Sequence, residues 1–316
     1  MEILDLRHFA SEDLRPLLAE ESEHWLRLLR WDYSGSGEMI LRYLDARILP
    51  GYAAVHGGRV CGYSFFVYEG SKGIIGDLFV GRAAQLRNGA SEPVESVLLT
   101  HVIETLQQSP GMHRIEAQLL PHPKGAITRP FQETGFRAQT RLYMALELEG
   151  ALAQAPPPPP EIAIRPWRED DFQPAAAIIT AAYRDHVDSE INDQYRTMSG
   201  ALRFLNNIVR FPGCGIFDED SSLVAVHRDT GLMVGLILCS RVKNDVGHVT
   251  QVCLLPEHKG RGLGLALMAA AKANLSRRRF ATLSLTVTEA NTSAVDLYRK
   301  MGFRIAHVFE AFVWEG

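Results

Sequence analysis

Apolar and polar positions along the second half of the chain alternate between two periods. Leu223-Val224-Ala225-Val226 and the run at residues 233–238 are apolar stretches of strand length flanking Arg228-Asp229-Thr230-Gly231, a turn composition, and together they predict a hairpin. Residues 249–255 predict a further strand, and Leu283-Ser284-Leu285-Thr286-Val287-Thr288 alternates with period two, as a strand with one buried face does. Helical spacing appears at Ala175, Ile178, Ile179 and Ala182, over residues 201–209, at Leu265, Met268, Ala271 and Leu275, and at Ala294, Leu297, Tyr298 and Met301, where Gly302 is placed as a stop. With residues 162–166 as the first strand and 303–314 as the last, the predicted order is β-α-α-β-β-β-α-β-α-β.

The first half repeats this plan weakly. Residues 52–55 and 61–68 flank the turn His56-Gly57-Gly58-Arg59, a strand follows at 74–80, and Phe131-Gln132-Glu133-Thr134-Gly135-Phe136 stands where Tyr298-Arg299-Lys300-Met301-Gly302-Phe303 stands in the second half. Between the halves, residues 151–155 lead into five prolines, Pro156 to Pro160, which favour polyproline II. The expected division is a domain at 1–150, a linker at 151–160 and a domain at 161–316; an ordered proline strap along one domain is the alternative. With 316 residues, 46% of them hydrophobic, the chain is long enough for two cores.

Charge and cysteine usage remove several function classes. Thirty-three basic against 37 acidic residues give a net charge of −4, with no overall positive field to hold a nucleic acid. The most apolar stretch, 231–240, is too short to span a bilayer, and Met1-Glu2-Ile3-Leu4-Asp5 lacks the basic flank and apolar core of a signal peptide, so a cytoplasmic protein with no membrane partner is expected. Cys61, Cys214, Cys239 and Cys253 are far apart and form no C-x-x-C, which indicates neither a disulfide framework nor a metal site.

The run Leu254-Leu255-Pro256-Glu257-His258-Lys259-Gly260-Arg261-Gly262-Leu263-Gly264 carries candidate chemistry. It joins a predicted strand to a predicted helix through three alternating glycines, where unpaired N–H groups at a helix start favour a phosphate or pyrophosphate, and Lys259 and Arg261 add positive charge. It contains no G-x-x-x-x-G-K-[ST], and a dinucleotide fingerprint G-x-G-x-x-G would need glycine where Leu265 stands.

Lys259-Gly260-Arg261-Gly262-Leu263-Gly264 instead resembles the [QR]-x-x-G-x-[GA] motif of the GNAT family of N-acetyltransferases, with lysine at the first position. Pro256, Asn291 and the ending Ala294-Val295-Asp296-Leu297-Tyr298-Arg299-Lys300-Met301-Gly302-Phe303, similar to the family's A-x-x-L-Y-x-x-x-G-F, extend the resemblance over about residues 161–316. It implies an α/β (α+β) fold of two GNAT-like domains, each with a mixed, largely antiparallel central sheet flanked by helices. It also implies acetyl-CoA as co-substrate, with no metal: Lys259 to Gly264 on the pyrophosphate, the backbone of Val252, Cys253 and Leu254 on the pantetheine arm in a notch beside the next strand, and Asn291 on the coenzyme or as a helix N-cap. An N–H near Leu254 would face the thioester carbonyl. By the same resemblance Tyr298 is the catalytic acid on the departing thiolate, the alternative being a core tyrosine.

The general base is unassigned. Many family members place a carboxylate on the strand before the glycine loop, where this chain has Thr250 and Gln251; Glu289 and His248 are the remaining candidates. The acceptor wall expected at residues 183–195 carries Asp185, Asp188, Glu190 and Asp193, which would attract a cationic amine or form only a solvated polar turn. In the first half the segment Gly81-Arg82-Ala83-Ala84-Gln85 and onward to Ser91 lacks the G-x-G spacing, and Phe131 replaces the tyrosine, so this domain is expected to have lost coenzyme binding. The implied function is direct acetyl transfer from acetyl-CoA to a primary amine of a small molecule or peptide, by a monomer or homodimer. A non-catalytic acyl-CoA sensor or interaction module is the alternative.

Overall fold

The structure, a computed structural model, describes residues 1–85, 92–148, 157–211, 213 and 215–316. Most of the linker expected at 151–160, the distal part of the first-half loop at residues 86–91, and Cys214 lie outside these residues. Chain contacts divide the molecule into two compact units, Met1–Arg141 with His307–Gly316, and Leu142–Ala306.

The first unit opens with β1 (Glu2–Asp5), α1 (Ser11–Leu29) and α2 (Ser34–Asp45), followed by the meander β2 (Gly51–His56), β3 (Arg59–Glu69) and β4 (Lys72–Val80). After the short α3 (Arg82–Gln85), α4 (Val94–Gln107) crosses to β5 (Arg114–Gln118), and α5 (Thr128–Glu133) leads to β6 (Arg137–Glu147), which ends in the second unit. The apolar stripe of α4, Leu98, Leu99, Val102, Ile103 and Leu106, is fully buried in one core with Phe66, Ile75, Leu78 and Ile115.

The second unit runs from the end of β6 through β7 (Ile162–Pro166), α6 (Phe172–Ala182), α7 (Val187–Ile191) and α8 (Met198–Arg210) to the strands β8 (Ile216–Phe217), β9 (Leu223–His227), β10 (Met233–Lys243) and β11 (Val246–Leu254). Then come α9 (Leu263–Arg277), β12 (Thr282–Thr288), α10 (Thr292–Lys300) and β13 (Arg304–Glu315), whose last part returns to the first unit. The strand order is β6-β12-β11-β10-β9-β7 here and β1-β2-β3-β4-β5-β13 in the first unit. The pairs β4–β5 and β11–β12 are parallel, and β1–β2–β3–β4, β7–β9–β10–β11 and β5–β13 are antiparallel, so each unit has the mixed, largely antiparallel sheet expected.

Two features differ from the pattern-based division. The chain-terminal strand belongs by contacts to the first unit: Ala311 to Glu315 pair with Gln118 to Arg114, and the Phe312 ring stacks on Phe131 at 3.9 Å. Periodicity identifies a strand but not its partner, so that exchange was invisible in the pattern. At the end of the proline run, Ile162 N–H donates to the Pro159 carbonyl and the Arg228 guanidinium to that of Pro160, tying these residues to the second unit.

Candidate active site

The site begins with a mismatch in strand pairing. β11 and β12 pair from Val246–Thr282 to Val249–Leu285 and no further, although both strands continue. At that point β11 carries a bulge: Leu238 faces Gln251 and Cys239 faces Val249, which leaves Thr250 as the extra residue. Bulges bend a strand and raise its twist, so β11 turns away from β12 as their pairing stops. The Thr250 hydroxyl fixes the bulge by donating to the Leu238 carbonyl at 3.1 Å. Val252, Cys253 and Leu254 remain bound to β10 on one side and border the opening on the other. Gln251 and Cys253 are both buried, and the Gln251 amide nitrogen has no hydrogen-bond partner among the described residues.

The opening runs into the glycine loop. Gly260 and Gly262 have φ of +74° and +80°, in the region that penalises a Cβ, and a Cβ built on either would meet nothing within 4 Å. Both glycines are therefore required by backbone conformation, while the space beside them is open. Gly262 caps α9 without a side chain, and the first backbone bond of the helix runs from Ala266 N–H to the Gly262 carbonyl. The amides of Leu263, Gly264 and Leu265 thus precede the helical ladder, where a helix start favours an anion. Lys259 and Arg261 are exposed beside them, Arg261 in an ion pair with Glu161, and the Leu263 side chain is buried, so that residue offers only its backbone.

The far wall is made by the start of α10 and the turn before α7. Asn291 caps α10, its side-chain oxygen accepting from Ala294 N–H at 3.3 Å, and its amide nitrogen lies 3.3 Å from His186 Nε2. His186 is itself the cap of α7: Nδ1 accepts from Asp188 N–H at 3.1 Å and lies 3.6 Å from a carboxylate oxygen of Asp188. The other Asp188 oxygen accepts from the Thr288 hydroxyl at the end of β12. Asp185, just before, holds φ of +58°, a left-handed conformation that presents the next residue sharply. Tyr298 is buried, and its hydroxyl forms no hydrogen bond with the described residues. Burial pushes its phenol well above the ordinary range, and the Asp188 carboxylate adds to the shift. Burial likewise raises Tyr183, helped by Cys253, Tyr195, Asp188 and Tyr298, so these groups surround one spot at the end of β11.

Tyr298, Asn291, the glycine loop and the β11 end thus come together around one opening. The two candidate bases do not join them. His248 sits at the paired end of β11, is 6% exposed, lies 2.9 Å from the Ser284 hydroxyl, and is pushed down to about 3 by burial, which keeps it a neutral structural imidazole. Glu289 is exposed beyond the end of β12. The polar stretch 183–195 is not merely a solvated turn: it contains α7, buries Ser189, Ile191 and Gln194, and turns Asp188 inward. No spacing signal in the sequence ties His186 to Asn291, 105 positions away.

Residues 165–303 match the sequence profile of the acetyltransferase (GNAT) family. A mycothiol acetyltransferase of Renibacterium salmoninarum is 27% identical over 210 residues, 64% of this chain and 58% of that protein. The matches to curated mycothiol acetyltransferases cover between 17% and 58% of those proteins, so the chain aligns with well under two thirds of each. Among solved structures, a GCN5-related N-acetyltransferase of Sphaerobacter thermophilus is 18% identical with a TM-score of 0.64, covering 99% of this chain and 95% of that one. A tandem GNAT protein from the clavulanic acid biosynthesis pathway is 16% identical with a TM-score of 0.63, covering 99% and 98%. At these identities the two structures are evidence of a common fold.

Proposed function

We propose, from the match of residues 165–303 to the acetyltransferase (GNAT) family, that the second unit transfers the acetyl group of acetyl-CoA directly to a primary amine of a small molecule or peptide. The observation that carries this reading is the stretch of β11 no longer paired with β12, leading into a helix start preceded by two left-handed glycines at which a Cβ would meet nothing within 4 Å. Lys259 and the amides of Gly260 to Gly264 would take the pyrophosphate, the open edge of Val252 to Leu254 the pantetheine arm, and the Gln251 amide nitrogen, which has no hydrogen-bond partner among the described residues, an oxygen of the bound acyl group or acceptor.

Attack of the amine on the thioester carbon breaks the C–S bond and releases a thiolate. Tyr298, held protonated by burial and unoccupied by other acceptors among the described residues, gives it a proton. The nearby Cys253 thiol is pushed up to about 12 by burial, so it stays protonated and is a poor nucleophile, which favours direct transfer over an acyl-enzyme. In the first unit the His122 ring bonds the Leu78 carbonyl and the Glu20 carboxylate accepts from Arg82 N–H, and we assign this unit a structural or acceptor-facing role. The test is a thermal melt with and without acetyl-CoA. Ligand at 100 times its dissociation constant adds roughly 2.7 kcal/mol, and the shift should vanish in Gly262→Asp, which places a charge in the open space of the loop.

A further inference from the structure

Resting on the coenzyme reading above, we propose that the His186 ring and the Asn291 side-chain amide form a pair of hydrogen-bond donors that together hold one oxygen of the coenzyme's pantetheine arm. The pair arises from two helix caps that meet at the opening, and each cap fixes which atom is left to donate.

A backbone N–H can only donate. Asp188 N–H bonds His186 Nδ1 at 3.1 Å, so that nitrogen carries the lone pair and the neutral ring holds its proton on Nε2. Burial lowers the imidazole below its ordinary value against the opposing effect of Asp188, with Lys259 adding to burial, so the ring is neutral at neutral pH. The same reasoning orients Asn291: its side-chain oxygen accepts from Ala294 N–H at 3.3 Å and from the Ser293 hydroxyl at 3.2 Å, which leaves its NH2 group on the other side. The nitrogen of that group lies 3.3 Å from His186 Nε2. Two donors therefore face each other, and among the described residues neither has an acceptor. Donors held this close repel unless an oxygen accepts from both, and an acceptor brought by a ligand relieves that cost.

Position and charge select the oxygen. The His186 ring packs edge-on against Tyr183 at 5.1 Å, and Tyr183 packs on the core that includes Cys253, the middle of the β11 edge assigned to the pantetheine arm. Asn291 N–H bonds the Thr288 carbonyl at 2.9 Å, which holds the amide at the end of β12. Both donors are uncharged, a match for the amide carbonyls and hydroxyl of the arm, whereas the phosphates are matched by Lys259 and the glycine-loop amides. The His186 side chain is 25% exposed, within reach of a ligand. His186 thus moves no proton; it is a positioning residue that fixes the arm.

The test uses coenzyme A alone and requires no known amine. His186→Asn keeps a cap acceptor at the Nδ1 position and removes the Nε2 donor; His186→Gln does the reverse. His186→Asn should hold the melting temperature and weaken coenzyme A binding about tenfold by calorimetry, the scale of one unmet hydrogen bond. His186→Gln should lower the melting temperature and hold the affinity, a split that a purely structural histidine would not produce. Adenosine 3′,5′-bisphosphate, which carries phosphates but no pantetheine arm, should bind His186→Asn as it binds the parent. Asn291→Asp, which sets an acceptor opposite the Nε2 proton, should raise the melting temperature of the ligand-free protein, and the gain should be absent in a His186→Asn background; no gain, or one that persists in that background, overturns the donor pair. Unchanged coenzyme A affinity in His186→Asn, an equal loss in His186→Gln, or an equal loss for the bisphosphate overturns the assignment and leaves the coenzyme reading standing. No melt shift of the parent with coenzyme A overturns both.

Discussion

In both units the strand that precedes the crossover helix carries a one-residue bulge where its parallel pairing stops. On β11 the extra residue is Thr250, after Val249–Leu285; on β4 it is Gly76, after Ile75–Ala117. The register therefore aligns Asp77 with Gln251 and the segment 78–80 with 252–254. Beyond the bulge the two units diverge. In the first unit the His122 ring bonds the Leu78 carbonyl at 2.8 Å and the Glu20 carboxylate accepts from Arg82 N–H at 2.8 Å, so the protein's own ring and acceptor hold backbone groups at this place. Asp77 is buried in a network with Tyr33, Tyr63 and Glu21. The same backbone bulge stands in both halves, and what differs is the side chains around it.

The sharpest way to break this comparison is at the loops. Gly262→Asp should weaken acetyl-CoA binding by more than about 100-fold, about 2.7 kcal/mol, by calorimetry. Glu20→Gln, at the equivalent place in the first unit, should leave the affinity unchanged. If both variants lose binding, the first unit contributes to the site and the contrast fails.

The helix positions sharpen it next. Tyr298→Phe should lower the rate of thiol release by about 100-fold or more, in the range of a lost general acid, with acetyl-CoA affinity preserved. The reciprocal Phe131→Tyr should give no gain in turnover, because Phe131 is fully buried between Phe136 and Phe312. It should instead destabilise the protein by about 1–3 kcal/mol through a buried hydroxyl left without an acceptor. A faster Phe131→Tyr enzyme would mean that the first unit retains a working acyl site.

Much of this contrast was legible in the chain. Three alternating glycines after a strand located the loop, and Phe131 against Tyr298 marked a difference between the halves, because both are local patterns set by backbone dihedrals and by one hydroxyl. The strand periodicities found the sheet of each unit. The bulges, the exchange of residues 307–316 and the meetings of His186 with Asn291 and of Asp188 with Thr288 were not legible, since they depend on which strands pair and where pairing ends. His248 shows the converse: a polar residue in an alternating strand reads as a candidate until its burial beside Ser284 is seen.

The two units should also respond to pH in opposite directions, a smaller effect that probes their interiors. Glu21 is fully buried, bonded by Tyr63 at 2.6 Å and Trp25 at 3.3 Å, and burial together with Asp77 raises its carboxyl well above the ordinary 4.5. Its folded form binds a proton that the unfolded chain has released, so its contribution is present below 4.5 and is lost as pH rises through the raised value. His248 is lowered from 6.5 to about 3; its contribution is present above 6.5 and is lost as pH falls toward 3. Denaturant melts from pH 4 to 9 should show Glu21→Gln gaining stability relative to the parent as pH rises, and His248→Asn losing the parent's decline between pH 6.5 and 4. A Glu21→Gln protein less stable than the parent by the same amount at every pH would mean that Glu21 contributes through its hydrogen bonds alone.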